Sequence, residues 1–159
     1  MNKAIIIEKV LENLREQAEN LVRGAKKAHE YATHAESKSE DKYDTRGLEA
    51  SYLAEGQSRL AAEMQHSIHI YQNLVPKDFT SGDKIALTAL VELDTDGESV
   101  IYFIGPKNGG ITIEYEGEKI LVITPTSPLG QELIGKEEGD YFEMTVKNIK
   151  HEYEVISVK

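Results

Sequence analysis

Residues 7–35 read IEKVLENLREQAENLVRGAKKAHEYATHA. Apolar or small side chains fall at Ile7, Leu11, Leu14, Ala18, Leu21, Ala25, Ala28, Ala32 and Ala35, in alternating steps of four and three. A seam of that rhythm over four heptads is the signature of a coiled coil, because 3.5 residues per turn keep one stripe facing a partner helix. A second series, Ala50, Leu53, Gln57, Leu60, Met64, Ser67, Tyr71 and Leu74, keeps the same spacing. Ser37, Ser39 and Asp41 lie between the two, and such residues favour turns and caps. Two long helices joined by a short connection pack as antiparallel neighbours. Residues 3–74 are therefore expected to form one α-hairpin, with each helix of about thirty residues rising roughly 45–50 Å. The first seam starts with isoleucine and leucine and turns mostly to alanine, with Leu21 the exception. Alanine buries less apolar area but lets helix axes approach closely, so the far half should be a thin rod.

Beyond the second helix, VPKDFTSGD (75–83) contains Pro76 and Gly82 and reads as a linker. From Lys84 the period changes to two: Ile85, Leu87, Ala89, Val91 and Leu93 alternate with the other face of an expected strand. DTDGE (94–98), KNGG (107–110) and Glu116-Gly117 mark turns, and DYFEMTVKNI and HEYEVISVK read as two further strands. Ser127 as N-cap, Pro128 in the first turn and Gly135 as stop bound one short helix. The expected fold is α+β: a coiled-coil hairpin over 1–75, a linker over 76–83, and a mostly antiparallel α+β domain over 84–159.

Composition narrows the function classes. The 159 residues carry a net charge of −10 and no cysteine, which excludes disulfides and thiol catalysis. The first 75 residues hold 10 basic and 12 acidic side chains; residues 76–159 hold 8 and 16. An acidic half repels phosphate backbones, so direct duplex DNA binding is not expected and a basic protein surface is the better partner. No apolar run is long enough for a bilayer and the N-terminus lacks the pattern of a signal peptide, so a cytoplasmic setting is expected.

The stretch SPLGQELIGKEEGD (127–140) resembles the signature of the bacterial Gre transcript-cleavage factors, Ser-Pro-apolar-x-x-x-Leu-Ile-Gly-Lys-x-x-Gly-Asp. Ser127, Pro128, Leu133, Ile134, Gly135, Lys136, Gly139 and Asp140 match it. Glu55-Gly56, in LEASYLAEGQSRL (48–60), is similar to the Glu-Gly pair of that family's second helix. The resemblance implies a FKBP-like C-terminal domain that docks at the rim of RNA polymerase's secondary channel, with Ser127, Pro128 and Leu129 facing the polymerase. It implies a hairpin that carries tip acids to the polymerase active site. There they help hold a second Mg²⁺, shared with the polymerase, while the polymerase itself cleaves backtracked nascent RNA. The protein would then be a monomer and no enzyme in its own right, touching the RNA 3′ end only indirectly.

An ungapped count back from Glu55-Gly56 puts the family's tip glutamate at Glu40 and its aspartate at Ser37. Glu40 and Asp41 are the candidate metal-holding acids, with Glu36 and Asp44 as alternates. Adjacent carboxylates diverge on a helix and converge in a turn. The plain alternative is a solvated acidic loop at the N-terminus of the second helix. With Ser37 where an aspartate is the pattern, a channel-binding regulator or inhibitor without cleavage is the second reading. A FKBP-like prolyl isomerase with a coiled-coil arm is a third reading, against which stand the lack of tryptophan and of an aromatic cluster for a proline pocket. The long hairpin argues against a nucleoside diphosphate kinase regulator of related fold. His66 and His69 are a surface pair on a helix, and Arg23, Lys26 and Lys27 form a small basic face. Tyr102, Phe103 and Phe142 are expected in the core.

Overall fold

A computed structural model describes residues 1–36 and 45–159. Two long helices, α1 (Lys3–Glu36) and α2 (Arg46–Gln72), precede six strands and a short helix. The chain divides into two compact units, Leu11–Gln72 and Met1–Val10 with Asn73–Lys159. Among the described residues no helix is long and apolar enough to cross a membrane.

The first unit is the helical hairpin. Along α1 the expected seam is buried at Leu11, Leu14, Ala18, Ala28 and Ala32 and half-buried at Leu21 and Ala25. Along α2 the seam differs from the expected one. Gly47, Ala50, Ala61, Ile68 and Tyr71 are buried, and Ala54, Gln57 and Met64 are half-buried. That series also steps by three and four, but it passes through Ala54 and Ala61 instead of Leu53 and Leu60. Those two leucines are 55 % and 46 % exposed. One residue is about 100° of helix rotation, so the choice between neighbours decides which stripe faces inward. Small side chains win midway along the hairpin, where Gly24 faces Gln57 and Ala25 lies beside Ala54, because close packing of small-residue stripes leaves no room for a leucine between them.

Gly24 and Gln57 meet midway along the hairpin. A Cβ on Gly24 would stand 2.7 Å from Gln57 Oε1, and that oxygen is buried with no hydrogen-bond partner. Glycine inside a helix costs about 1 kcal/mol relative to alanine. Gly24→Ala is expected to recover less than that, because the amide must move aside. In a Gln57→Ala background it should recover the full amount, so a double-mutant cycle by thermal unfolding will show favourable coupling. Simple additivity would mean that the two side chains do not compete for the space.

The second unit is a six-stranded sheet. Its strands are β1 (Leu90–Thr95), β2 (Glu98–Ile104), β3 (Thr112–Tyr115), β4 (Glu118–Ile123), β5 (Tyr141–Val146) and β6 (Ile149–Val158), in the order β3-β4-β2-β1-β6-β5. Every pairing is antiparallel except β2 with β4, which is parallel. Three two-residue turns close hairpins with both residues at positive φ: Asp96-Gly97, Glu116-Gly117 and Lys147-Asn148. Turns of this hand match the twist of the strands they join. The first two follow the sequence expectation. The third divides the stretch read as continuous strand through Asn148, and it does so without glycine, using the tolerance of Asn for the left-handed region.

Residues 84–89 are not a strand, contrary to the alternation there. Thr88 has φ 71°, which breaks an extended run. The segment is instead stitched to the loop after the short helix: Ile85 N–H donates to Lys136 O at 2.7 Å, and Gly135 N–H donates to Ile85 O at 2.9 Å. Ile85 and Ala89 reach the core while Leu87 is 40 % exposed, so the period of two in the sequence is not a period of burial. One sheet face buries Val91, Leu93, Ile104, Tyr153, Val155 and Val158 with Phe79 and Leu133. On the other face Leu90, Phe103, Val122, Ile113 and Ile120 are buried, and the registers Leu90 to Phe103, Phe103 to Val122 and Ile113 to Ile120 place them side by side. Phe103 is thus core as expected, whereas Tyr102 and Phe142 are half-buried at its margin.

Lys3, also in this unit, is a buried charge. Its Nζ donates to Lys77 O and lies 4.5 Å above the Phe79 ring, with Lys77 Nζ 4.9 Å over the same ring. Burial pushes its pKa below the ordinary lysine value, and Asp78 partly offsets this. The cation is tolerated because a carbonyl and an aromatic face replace part of its water.

Candidate functional site

The loop that opens the short helix α3 (Pro128–Leu133) is built from its own sequence. Ser127 has extended backbone, φ −70° and ψ 155°, and its Oγ accepts from Gly130 N–H at 3.1 Å. The same hydroxyl donates to Thr124 O at 2.8 Å. Pro128 fits the first helical position, where its missing N–H costs nothing. Gln131 Nε2 reaches back to Thr126 O at 3.0 Å. These contacts fix the loop so that Pro128 stands exposed while Leu129 packs half-buried on the sheet core. Of the three residues expected to face a partner, Pro128 is the one most open to solvent, with Ser127 and Leu129 beside it.

Much of the rest of the 127–140 signature is scaffold, although Ile134 is 40 % exposed. Leu133 is fully buried. Gly135 (φ 86°) and Gly139 (φ 88°) make turns that a side chain would strain. Asp140 Oδ2 accepts from Glu137 N–H at 2.9 Å, and Lys136 Nζ lies 5.3 Å over the Phe142 ring. Gly130 falls on a variable position of the signature. A Cβ there would fall 1.9 Å from Thr124 O, so the helix touches the preceding loop backbone to backbone. No local pattern signals that contact.

Removal of the cap should be measurable but mild. Ser127→Ala is expected to lower stability by about 1 kcal/mol, the usual cost of an N-cap, and to leave the sheet intact. Chemical denaturation will check it; no change in the midpoint would mean the hydroxyl's two bonds are matched by water.

The hairpin carries the second candidate. Glu40, Asp41 and Asp44, together with Ser37, lie outside the described residues, and Glu36 is the last residue of α1. Among the described residues of the hairpin, a shallow groove of about 440 Å³ is lined by Lys26 and His29 of α1 and by Ser51, Glu55 and Ser58 of α2. It brings Lys26 of the basic face together with Glu55 of the Glu-Gly pair; Arg23 and Lys27 are exposed outside it. His66 and His69 are both exposed on α2. Among the described residues no three His, Cys, Asp or Glu side chains gather where a metal ion would sit.

A long helical hairpin joined to a mixed sheet with a serine-capped, proline-led helix defines the class of protein. The family described as "Transcription elongation factor, GreA/GreB, C-term" matches residues 80–159. A transcription elongation factor GreA of Bartonella tribocorum is 35 % identical over 82 residues, 50 % of this chain and 48 % of that protein. The chain therefore spans about half the length of that relative. GreA of Nitratidesulfovibrio vulgaris (strain DP4) is 27 % identical over 156 residues, 96 % of this chain and 86 % of its own. The transcription inhibitor protein Gfh1 of Thermus thermophilus is 25 % identical over 154 residues, 95 % of this chain and 91 % of its own. The chain belongs to the GreA/GreB family of transcription elongation factors.

Proposed function

We propose that this protein acts on RNA polymerase, entering its secondary channel and stimulating the polymerase's own cleavage of backtracked nascent RNA. The observation that carries this reading is the Ser127–Asp140 signature, folded as a rigid loop within the family-matched domain of a chain that also bears a thin hairpin. Ser127, Pro128 and Leu129 are the polymerase-facing residues in this reading. Glu40 and Asp41, with Glu36 and Asp44 as alternates, are the tip acids. Carboxylates are the oxygen donors that a hard cation such as Mg²⁺ takes, and two suffice where polymerase, RNA and water provide the remaining ligands. The protein supplies acids to its partner and needs no pocket of its own.

A halted, backtracked polymerase complex with end-labelled RNA tests it. Addition of the protein should release short 3′ fragments, and Glu40→Ala/Asp41→Ala should abolish release while polymerase binding persists. Absence of fragments with the unaltered protein would sink the cleavage role.

A second reading is favoured by two observations. Ser37 stands where the tip pattern has an aspartate, and a transcription inhibitor of Thermus thermophilus aligns with 95 % of this chain. In that reading the protein occupies the channel and lowers transcription. The same assay separates the two, since an inhibitor binds polymerase and yields no fragments.

A further inference from the structure

The sheet has two edges, and they differ. Strand β3 has four residues, and its Ile113 and Tyr115 are buried. Strand β5, at the opposite edge, has six residues, YFEMTV, and pairs with β6 from Tyr141 to Val146 without a shift of register. It contains no proline and no lysine, the usual guards of an open edge. The two-residue turn Lys147-Asn148 makes Val146 and Ile149 the hydrogen-bonded closing pair. Alternation along an antiparallel ladder then turns the amides of Phe142 and Met144 toward β6. Val155 N–H donating to Asp140 O at 2.9 Å continues the same alternation. The N–H and C=O groups of Tyr141, Glu143 and Thr145 therefore point away from the sheet, with no strand beyond them among the described residues.

Side chains at this edge carry a second, independent pattern. On one face Phe142 and Met144 pack half-buried on the core, and the row continues into Val146 and Ile149, 40 % and 60 % exposed. On the other face stand Glu143, Glu152 and Glu154, with Lys150 paired to Glu143 at 2.7 Å. Tyr141, 70 % exposed, hydrogen-bonds Glu154 on that face. One side of the edge is thus mainly apolar, with Lys136 Nζ over the Phe142 ring and the His151–Asp96 pair behind Met144, and the other is acidic.

We propose that β5 is a docking edge for an extended segment of a protein partner that alternates apolar and basic side chains. Such a segment adds a seventh strand. Its backbone takes up the outward groups of Tyr141, Glu143 and Thr145, its apolar residues cover Phe142, Met144 and Val146, and its basic residues meet the three glutamates. A second copy of this chain is the poorer occupant, because its own β5 would bring another Glu143 and the acidic half that carries it. The inference stands apart from the transcription reading, which uses Ser127–Leu129 and the hairpin tip.

The test is residue-resolved amide exchange on the full chain with a blocked ten-residue peptide alternating valine and lysine. Exchange at Tyr141, Glu143 and Thr145 should slow at least tenfold, and a valine–glutamate peptide should leave it unchanged. Thr145→Pro removes one outward N–H and should abolish the protection. If that variant fails to fold, Glu143→Lys keeps the backbone and should weaken the peptide at least threefold. The proposal is overturned by no protection at millimolar peptide, or by equal protection from both peptides. Protection that instead rises with protein concentration alone would also overturn it, by assigning the edge to a second copy.

Discussion

Gly130→Ala is expected to lose about 4 kcal/mol of stability, the cost of overpacking combined with loss of an N-cap. The added methyl would lie 1.9 Å from Thr124 O and 2.9 Å from Ser127 Oγ. The first of these atoms is backbone and has no rotamer to escape into. Either α3 lifts from the loop or the loop moves, and both open the Ser127 cap. A loss of that size corresponds to a fall in Tm on the order of 15 °C or more for a domain of this size. Gly109→Ala is the matched control: its Cβ would meet Thr124 Cγ2 at an ordinary 3.5 Å, and the substitution should be neutral. Scanning calorimetry of both variants decides the matter. If Gly130→Ala melted with the unaltered protein, the backbone contact would not exist as described.

Leu133→Ala should cost about 2–5 kcal/mol, the range for removing a fully buried leucine. Leu133 is 0 % exposed and joins α3 to Val91, Leu93, Ile104 and Val155 of the sheet core. Its loss leaves a cavity beneath the helix that holds Pro128 outward. Leu129→Ala, at a half-buried position, should cost less in denaturation. If the two variants unfolded at the same denaturant concentration, Leu133 would not be the anchor of this helix. As a contrast in the hairpin, Leu53→Ala should shift stability by no more than about 0.5 kcal/mol, because the side chain is exposed.

Much of the architecture could be read locally. The three–four rhythm of α1 appears as burial at Leu11, Leu14, Ala18, Ala28 and Ala32. Asp96-Gly97 and Glu116-Gly117 are turns because glycine follows a residue that tolerates positive φ. Ser127-Pro128 is a helix start because its cap bond spans three residues. Where the reading missed, the deciding partner was distant in sequence. Leu53 and Leu60 looked like core because they are large and fall on the expected seam, but they are exposed and the neighbouring Ala54 and Ala61 turn inward. Ile85, Leu87 and Ala89 looked like a strand, but hydrogen bonds to Gly135 and Lys136 hold that segment irregular. Lys3 carries no local sign of burial, yet Lys77 O and Phe79 enclose it.

The sequence alone determined the long helices, two of the hairpin turns, the capped α3 and membership signals for the GreA/GreB family. Those features rest on interactions within a few residues, whose energies any window of the chain displays. Tertiary structure decided which stripe of α2 turns inward, why position 130 must be glycine, which strands lie at the sheet edges, and that β5 keeps its outward amides open. The α2 stripe and the sheet edges depend on contacts between residues far apart in the chain, and position 130 on a close approach to backbone six residues earlier. Side-chain size or charge at one position cannot express such a contact until the partner backbone is in place.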